Sequence, residues 1–129
     1  MAQRARPLSP HLEIYRFTLT MAMSIAQRIT GIANYAGTLL LVIWLGAAAL
    51  GGDAYATVSG LFGSWLGQVV LFGYSWSLFH HMLGGIRHFV WDSGRMLEPG
   101  ERETMARLQL LGSIVLTLAA WALYVWSRG

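Results

Sequence analysis

The sequence predicts an all-α integral membrane protein in which 129 residues form a single domain with three transmembrane helices. The composition is 55% hydrophobic and only 12% charged, whereas a soluble domain usually carries about 25% charged residues. Three long uncharged runs follow one another, and most of the arginines lie on the two segments that share one side of the membrane. These features argue against a soluble enzyme and exclude an intrinsically disordered chain.

The three uncharged runs set the expected spans. The first extends from Ile29 to Gly52 and the third from Leu108 to Trp126. Each is long enough to cross a hydrocarbon core of about 30 Å. The second run, Ala54 to Ile86, is longer than one crossing requires, so we expect its glycine-rich start at the interface. The predicted transmembrane helices cover about residues 25–51, 61–89 and 108–127, after an arm over residues 1–23.

The distribution of basic residues predicts the orientation. All nine are arginine: Arg4, Arg6, Arg16 and Arg28 precede the first span, Arg87, Arg95, Arg102 and Arg107 lie around the second loop, and Arg128 follows the third span. Cytoplasmic loops carry the excess of basic residues, so the N-terminus and second loop are expected inside and the C-terminus outside. A basic chain arranged in this way is a membrane protein rather than a nucleic-acid binder.

Histidines in the second span require an explanation, because ionisable groups in hydrocarbon are costly. His81 and His88 share one helix face about 10 Å apart along the axis, whereas His80 points about 100° away. Two axial haem ligands approach iron from opposite sides, which residues stacked on one helix cannot do. If His81 binds haem, the second ligand comes from a partner subunit or a second copy. A lone intramembrane histidine can equally be a packing residue or part of a proton relay.

Small residues surround His81 on its helix face. Gly73 and Ser77 precede it, and Gly84 and Gly85 follow it. Such a stripe allows close approach of another helix, or it leaves a slot for a flat macrocycle. Spacing alone does not separate these two interpretations.

Ser24 and Arg28 lie four residues apart at the inner end of the first span, and therefore on one helix face. A hydroxyl and a guanidinium at the membrane boundary can hydrogen-bond a carbonyl of a lipid-soluble ligand, and Arg28 can neutralise a haem propionate. The alternative is that Arg28 only anchors the helix by reaching the lipid head groups.

Three stretches of this sequence resemble a known family: RPLSPHLEIYRF (Arg6 to Phe17), SIAQRITG (Ser24 to Gly31) and HMLGGIRHFVWD (His81 to Asp92). With its SxxxR and HxxxGIRHxxWD motifs, the chain resembles the larger type of cytochrome b membrane-anchor subunit of succinate dehydrogenase, respiratory complex II. The resemblance covers the first 92 residues well and the third span only as a hydrophobic helix.

The resemblance implies a role for each matching residue. His81 matches the axial ligand of the haem b iron, and a second small anchor subunit supplies the other axial histidine. Ser24 and Arg28 match residues that line the ubiquinone site beside the iron–sulfur subunit, and Arg28 also matches a position near a haem propionate. His88 matches a position near the haem, and Asp92 one near the inner surface.

The implied function is that of a membrane anchor in succinate:quinone oxidoreductase, which receives electrons from succinate through a flavoprotein subunit and the iron–sulfur clusters. The chain carries no catalytic residue for succinate, and without cysteine it cannot hold the clusters. One departure is Gln27, where many members have histidine, because an amide carries neither a proton nor a charge to a propionate. His80 leaves open which imidazole reaches the iron.

Two other functions remain open at this stage: a haem-free structural anchor and, with less support, a small transporter with a proton-relay histidine. The equivalent anchor of a quinol:fumarate reductase fits the same residues. We expect the inner membrane of a bacterium rather than of a mitochondrion, because no presequence rich in arginine and serine is evident.

Overall fold

Four helices account for almost all of the described chain. The computed structural model describes residues 14–128, and the helices are α1 (Leu19–Leu50), α2 (Gly52–Gly63), α3 (Trp65–Asp92) and α4 (Pro99–Trp126). The expected all-α fold is therefore confirmed for these residues. Of the predicted N-terminal arm, residues 1–13 lie outside the described part of the chain.

Local signals fix where the helices begin and end. The Thr18 hydroxyl accepts a hydrogen bond from a backbone N–H of the first turn of α1 at 3.4 Å, as N-terminal caps do. Gly51 ends α1 with a φ of 67°, a left-handed conformation that favours glycine. A capping box starts α4, in which the carboxylate of Glu101 accepts from the backbone N–H of Glu98 at 3.2 Å.

Two of the helices, α1 and α4, are each long and apolar enough to cross a membrane. The pair α2 and α3 meets the same requirement only when taken together, and the two are bent by 75° at the break between them. The described chain therefore holds two clear candidate spans and a third if the bent pair counts as one.

The helices differ from the predicted spans at three places. Residues 19–23, expected in the arm, already belong to α1, and α4 begins at Pro99 rather than near residue 108. Residues 52–60, expected in the first loop, are part of the separate helix α2. The reason is the same in each case: hydropathy marks the apolar part of a helix, whereas caps and backbone hydrogen bonds set its full length.

The interior is polar and the exterior is apolar. Helix α3 lies against both α1 and α4, and within residues 14–128 the buried apolar side chains are Met23, Ala47 and Ala106. The buried polar side chains are Thr30, Ser77, His80, Arg87, Gln109, Ser113 and Thr117. Lipid offers no hydrogen bonds, so polar groups that hold helices together belong between them and apolar groups belong outside.

We expect Gly37→Ala to destabilise the contact between α1 and α3, because a Cβ at this position would overlap the Tyr74 ring. Overpacking of this kind costs about 1–3 kcal/mol. Gly46→Ala is the matched control on α1, since nothing lies within 4 Å of its Cβ position. Thermal unfolding in detergent should show a lower midpoint for the Gly37 variant alone. Equal midpoints would contradict this close contact.

Candidate functional site

A network of polar side chains joins α4, α3 and α1. The side-chain amide nitrogen of Gln109 on α4 lies 3.0 Å from the His80 carbonyl oxygen, 3.1 Å from His80 Nε2 and 3.4 Å from Gln27 Oε1. The amide nitrogen of Gln27 on α1 in turn donates to the His81 carbonyl oxygen at 3.1 Å. Two glutamines from different helices therefore hold consecutive carbonyls of α3.

Gly84 makes room for this arrangement on α3. A Cβ at this position would overlap Gln27 Oε1 and would lie 2.8 Å from Gln109 Nε2. Because glycine has no Cβ, both amides can approach the α3 backbone. The network thus depends on a small residue as much as on the polar ones.

The His81 ring lies at the contact between α3 and α1. Its Nδ1 is 3.2 Å from the Gln27 carbonyl oxygen and 3.4 Å from the Thr30 hydroxyl. A carbonyl oxygen can only accept, so the contact requires the proton on Nδ1 and leaves the lone pair on Nε2 in the neutral ring. No hydrogen bond to His81 Nε2 is formed within residues 14–128. This is the tautomer of a histidine that can bind a metal through Nε2.

His80 has the opposite environment. It is 0% exposed, with Nδ1 at 3.4 Å from the Ser113 hydroxyl and Nε2 at 3.1 Å from the Gln109 amide nitrogen. The Trp76 ring lies 5.0 Å away. Both ring nitrogens are therefore occupied inside the chain, and His80 is a core residue of the α3–α4 contact.

The small-residue face around His81 serves two purposes. Ser77 donates to the Thr30 carbonyl oxygen at 3.1 Å and approaches Asn34 Oδ1 at 2.7 Å, and Gly84 receives the two glutamines. Helix packing is therefore the correct interpretation at these two positions. At Gly73 and Gly85, by contrast, a Cβ would meet nothing within 4 Å.

Ser24 and Arg28 are both exposed on α1. They flank Gln27, whose carbonyl contacts the His81 ring. Neither side chain forms a hydrogen bond or a salt bridge to another residue of the described range. Both are thus available at the surface of the bundle, next to the helix turn that holds His81.

The remaining predicted positions lie at the end of α3. His88 is exposed and meets the Trp91 ring edge-on at 5.3 Å, and Asp92 is exposed as the last residue of the helix. Neither is hydrogen-bonded to His81. Arg87, between them and His81, is only 3% exposed and stacks on Trp91 with Cζ 4.8 Å from the ring centre. Its Nε and Nη1 are buried and have no hydrogen-bond partner in the part of the chain that the structure describes.

Sequence reasoning missed the contribution of α4. Gln109, Ser113 and Thr117 are buried and recur every four residues along one face of this apolar helix. That spacing was a detectable signal, because polar residues repeated at helical intervals within a span indicate a face turned to other helices.

No complete metal site exists in the part of the chain that the structure describes. No group of three or more histidine, aspartate or glutamate residues occurs there that could hold an ion. A cavity of about 570 Å³ lies near the other end of the bundle, beside Trp44, Tyr55 and Tyr124, and its lining contains neither histidine nor carboxylate.

A bundle of apolar helices around a polar interior defines a helical membrane protein. The profile of the family described as succinate dehydrogenase/fumarate reductase transmembrane subunit matches residues 2–120. The chain belongs to this family, and the family resemblance noted in the sequence is confirmed.

Individual relatives come from bacteria and from mitochondria. The chain is 42% identical over 113 residues to the succinate dehydrogenase cytochrome b556 subunit of Paracoccus denitrificans, covering 88% of this chain and 87% of the relative. It is 40% identical over 117 residues to the mitochondrial cytochrome b560 subunit of Sus scrofa, covering 88% of this chain and 64% of the relative. The cytochrome b556 subunit of Rickettsia conorii is 30% identical over 116 residues, with 90% of both chains covered.

Gly84→Ala is expected to lower the stability of the bundle, because the new methyl group displaces both glutamines from the α3 backbone. The expected cost is about 1–3 kcal/mol. Gly85→Ala on the adjacent residue is the control, since its Cβ position is open. Thermal unfolding of the purified complex measures both variants, and a midpoint for Gly84→Ala as high as that for Gly85→Ala would show that the glutamines are not held against Gly84.

Proposed function

We propose that this chain is the haem b-binding membrane anchor of a succinate:quinone oxidoreductase in the inner membrane of a bacterium. It crosses the membrane three times, with the N-terminus inside and the C-terminus outside. The single observation that carries the proposal is the His81 ring, whose Nδ1 is bound to the Gln27 carbonyl and whose Nε2 remains free. Family membership and the names of the cytochrome b relatives support it.

The surroundings of His81 fit the role of an axial haem ligand. Histidines that bind metal usually donate their second ring N–H to a carbonyl or carboxylate, which fixes the ring orientation, and His81 has this arrangement. Gly85 leaves open space beside the helix on the side that follows His81. Haem b, when bound, supplies one-electron redox chemistry.

The other axial ligand must come from outside the described chain. Both nitrogens of His80 are occupied by Ser113 and Gln109. His88 lies about two turns along α3 on the same face as His81, so these two residues would not hold one haem between them. A second small anchor subunit would supply the other histidine.

Ser24 and Arg28 form part of the ubiquinone site. Their exposed hydroxyl and guanidinium groups donate hydrogen bonds to a quinone carbonyl oxygen, which gains negative charge as the quinone accepts electrons. Electrons reach the quinone from succinate through the flavoprotein and iron–sulfur subunits, and two electrons with two protons yield the quinol. His88 lies near the haem and Asp92 near the inner surface, and no residue of this chain acts on succinate.

A haem-free structural anchor is the second candidate. It is favoured by the use of Ser77 and Gly84 in helix packing, because this accounts for part of the small-residue face without a cofactor. The family description also includes fumarate reductase, so the same anchor in a quinol:fumarate reductase is compatible with the site.

His81→Ala should abolish the b-type signal in a reduced-minus-oxidised absorption spectrum of the purified complex, because the iron loses one axial nitrogen. His80→Gln is the matched control and should keep the signal, since the His80 ring is directed into the α3–α4 core. A spectrum that survives His81→Ala would refute the ligand assignment. The absence of any b-type signal in the unmodified complex would favour the structural anchor.

Arg28→Ala and Ser24→Ala should slow succinate-dependent quinone reduction while reduction of a soluble dye acceptor persists. A hydrogen bond to a charged group contributes about 1.5–3 kcal/mol, so quinone reduction by the Arg28 variant should fall roughly tenfold to a hundredfold.

Arg95→Ala provides the control for this pair, because Arg95 is an exposed arginine on the same predicted side of the membrane. Its quinone reduction should match that of the unmodified complex. Equal loss of quinone and dye activities in the Arg28 variant would indicate failed assembly and would count against a quinone role.

A further inference from the structure

We propose that Gln27 and Gln109 are a positioning pair that fixes the His81 ring and thereby tunes it as a ligand, an inference that rests on the proposed haem binding by His81. Neither glutamine touches the iron in this scheme. Each acts through the backbone or the ring of α3, and together they set the strength of the bond between His81 Nδ1 and the Gln27 carbonyl.

Gln27 contacts both the backbone and the side chain of His81. Its side-chain nitrogen donates to the His81 carbonyl oxygen at 3.1 Å, and its own carbonyl oxygen accepts from His81 Nδ1 at 3.2 Å. A helix carbonyl has two lone pairs, so it can accept a side-chain amide in addition to its helical partner. Gln27, on one turn of α1, thus fixes both the main chain and the ring of His81.

Gln109 holds Gln27 in this position. Its amide nitrogen lies among three acceptors, which are the His80 carbonyl oxygen, His80 Nε2 and Gln27 Oε1. The reversed amide would place an oxygen against all three, so the orientation is determined by the surroundings. Its Oε1 is buried and has no hydrogen-bond partner among the described residues.

The pair also explains why an uncharged amide suits position 27. The side chain must donate to the His81 carbonyl and accept from Gln109 at the same time. An ionised carboxylate lacks the donor, and an imidazolium lacks the acceptor. Gln27 therefore has a structural role in this chain that does not require it to carry a proton or a charge.

The consequence for a bound haem follows from ligand basicity. A hydrogen bond from Nδ1 to a carbonyl makes Nε2 more basic, and loss of such outer partners typically lowers metal affinity about tenfold to a hundredfold. A less basic imidazole stabilises ferric iron less, so the midpoint potential of the haem rises when the bond weakens.

The test uses the purified holo-complex with Gln109→Met or Gln27→Met, which keep side-chain volume and remove the amide. We expect a raised haem midpoint potential in a redox titration, a changed low-spin ferric EPR signal, and haem retention weakened roughly tenfold to a hundredfold. Thr117→Val is the matched control on α4, because among residues 14–128 its buried hydroxyl bonds only to the Ser113 carbonyl of its own helix. That variant should keep the unmodified potential and EPR signal.

The outcomes separate this inference from the proposed function. A normal potential and EPR signal in both methionine variants overturn the positioning role, even if His81→Ala removes the haem. Retention of haem by His81→Ala overturns the ligand assignment instead. If the methionine variants fail to assemble, Gln109→Asn replaces them, because it keeps the amide but shortens its reach. The proposal requires this variant to assemble and to show a raised haem midpoint potential. Failure of that variant to do so also overturns the proposal.

Discussion

The approach of two glutamine amides to the α3 backbone at Gly84 is the contact on which the rest of the bundle depends. In hydrocarbon there is no water to satisfy a polar group, so an amide placed between helices must find its partners on the neighbouring chain segments. Gln27 and Gln109 find them on the carbonyls of His80 and His81. These hydrogen bonds connect α1, α3 and α4 at the same height along the bundle. They therefore also determine where the His80 and His81 rings lie.

This constraint explains why the interior is polar while long apolar side chains face outward. Apolar packing gives no net hydrophobic gain between helices in lipid, and association depends on close van der Waals contact and interhelical hydrogen bonds. Gly37 beneath the Tyr74 ring supplies the first kind of contact, and Trp121 Nε1, which donates to the Ser75 hydroxyl at 3.3 Å, supplies the second. The exposed apolar surface of α1 and α4 is what a membrane subunit presents to lipid and to other subunits.

Sequence reasoning was sufficient for the all-α class of fold and for locating the apolar parts of α1 and α4, because hydropathy reports directly on transfer into hydrocarbon. It did not find α2 as a separate helix, because residues 52–60 were assigned to the first loop and residues 61–63 to the second span. Nor did it find Gln109, because α4 was treated as uniformly hydrophobic. The partners of His80 and His81 depend on how the helices rotate against each other, which no linear pattern specifies.

The two adjacent imidazoles differ in their hydrogen bonding because they face different helices. His80 and His81 are consecutive on α3, so their side chains diverge by about 100°. The first meets α4, where an amide N–H occupies Nε2 and a hydroxyl contacts Nδ1. The second meets α1, where the Gln27 carbonyl oxygen accepts a hydrogen bond from Nδ1 and Nε2 has no hydrogen-bond partner among residues 14–128. A rotation of α3 by about 100° would place one imidazole where the other now lies, and the glutamines that bind both carbonyls oppose that rotation. The difference between the two imidazole environments therefore depends on the same two side chains that connect the helices.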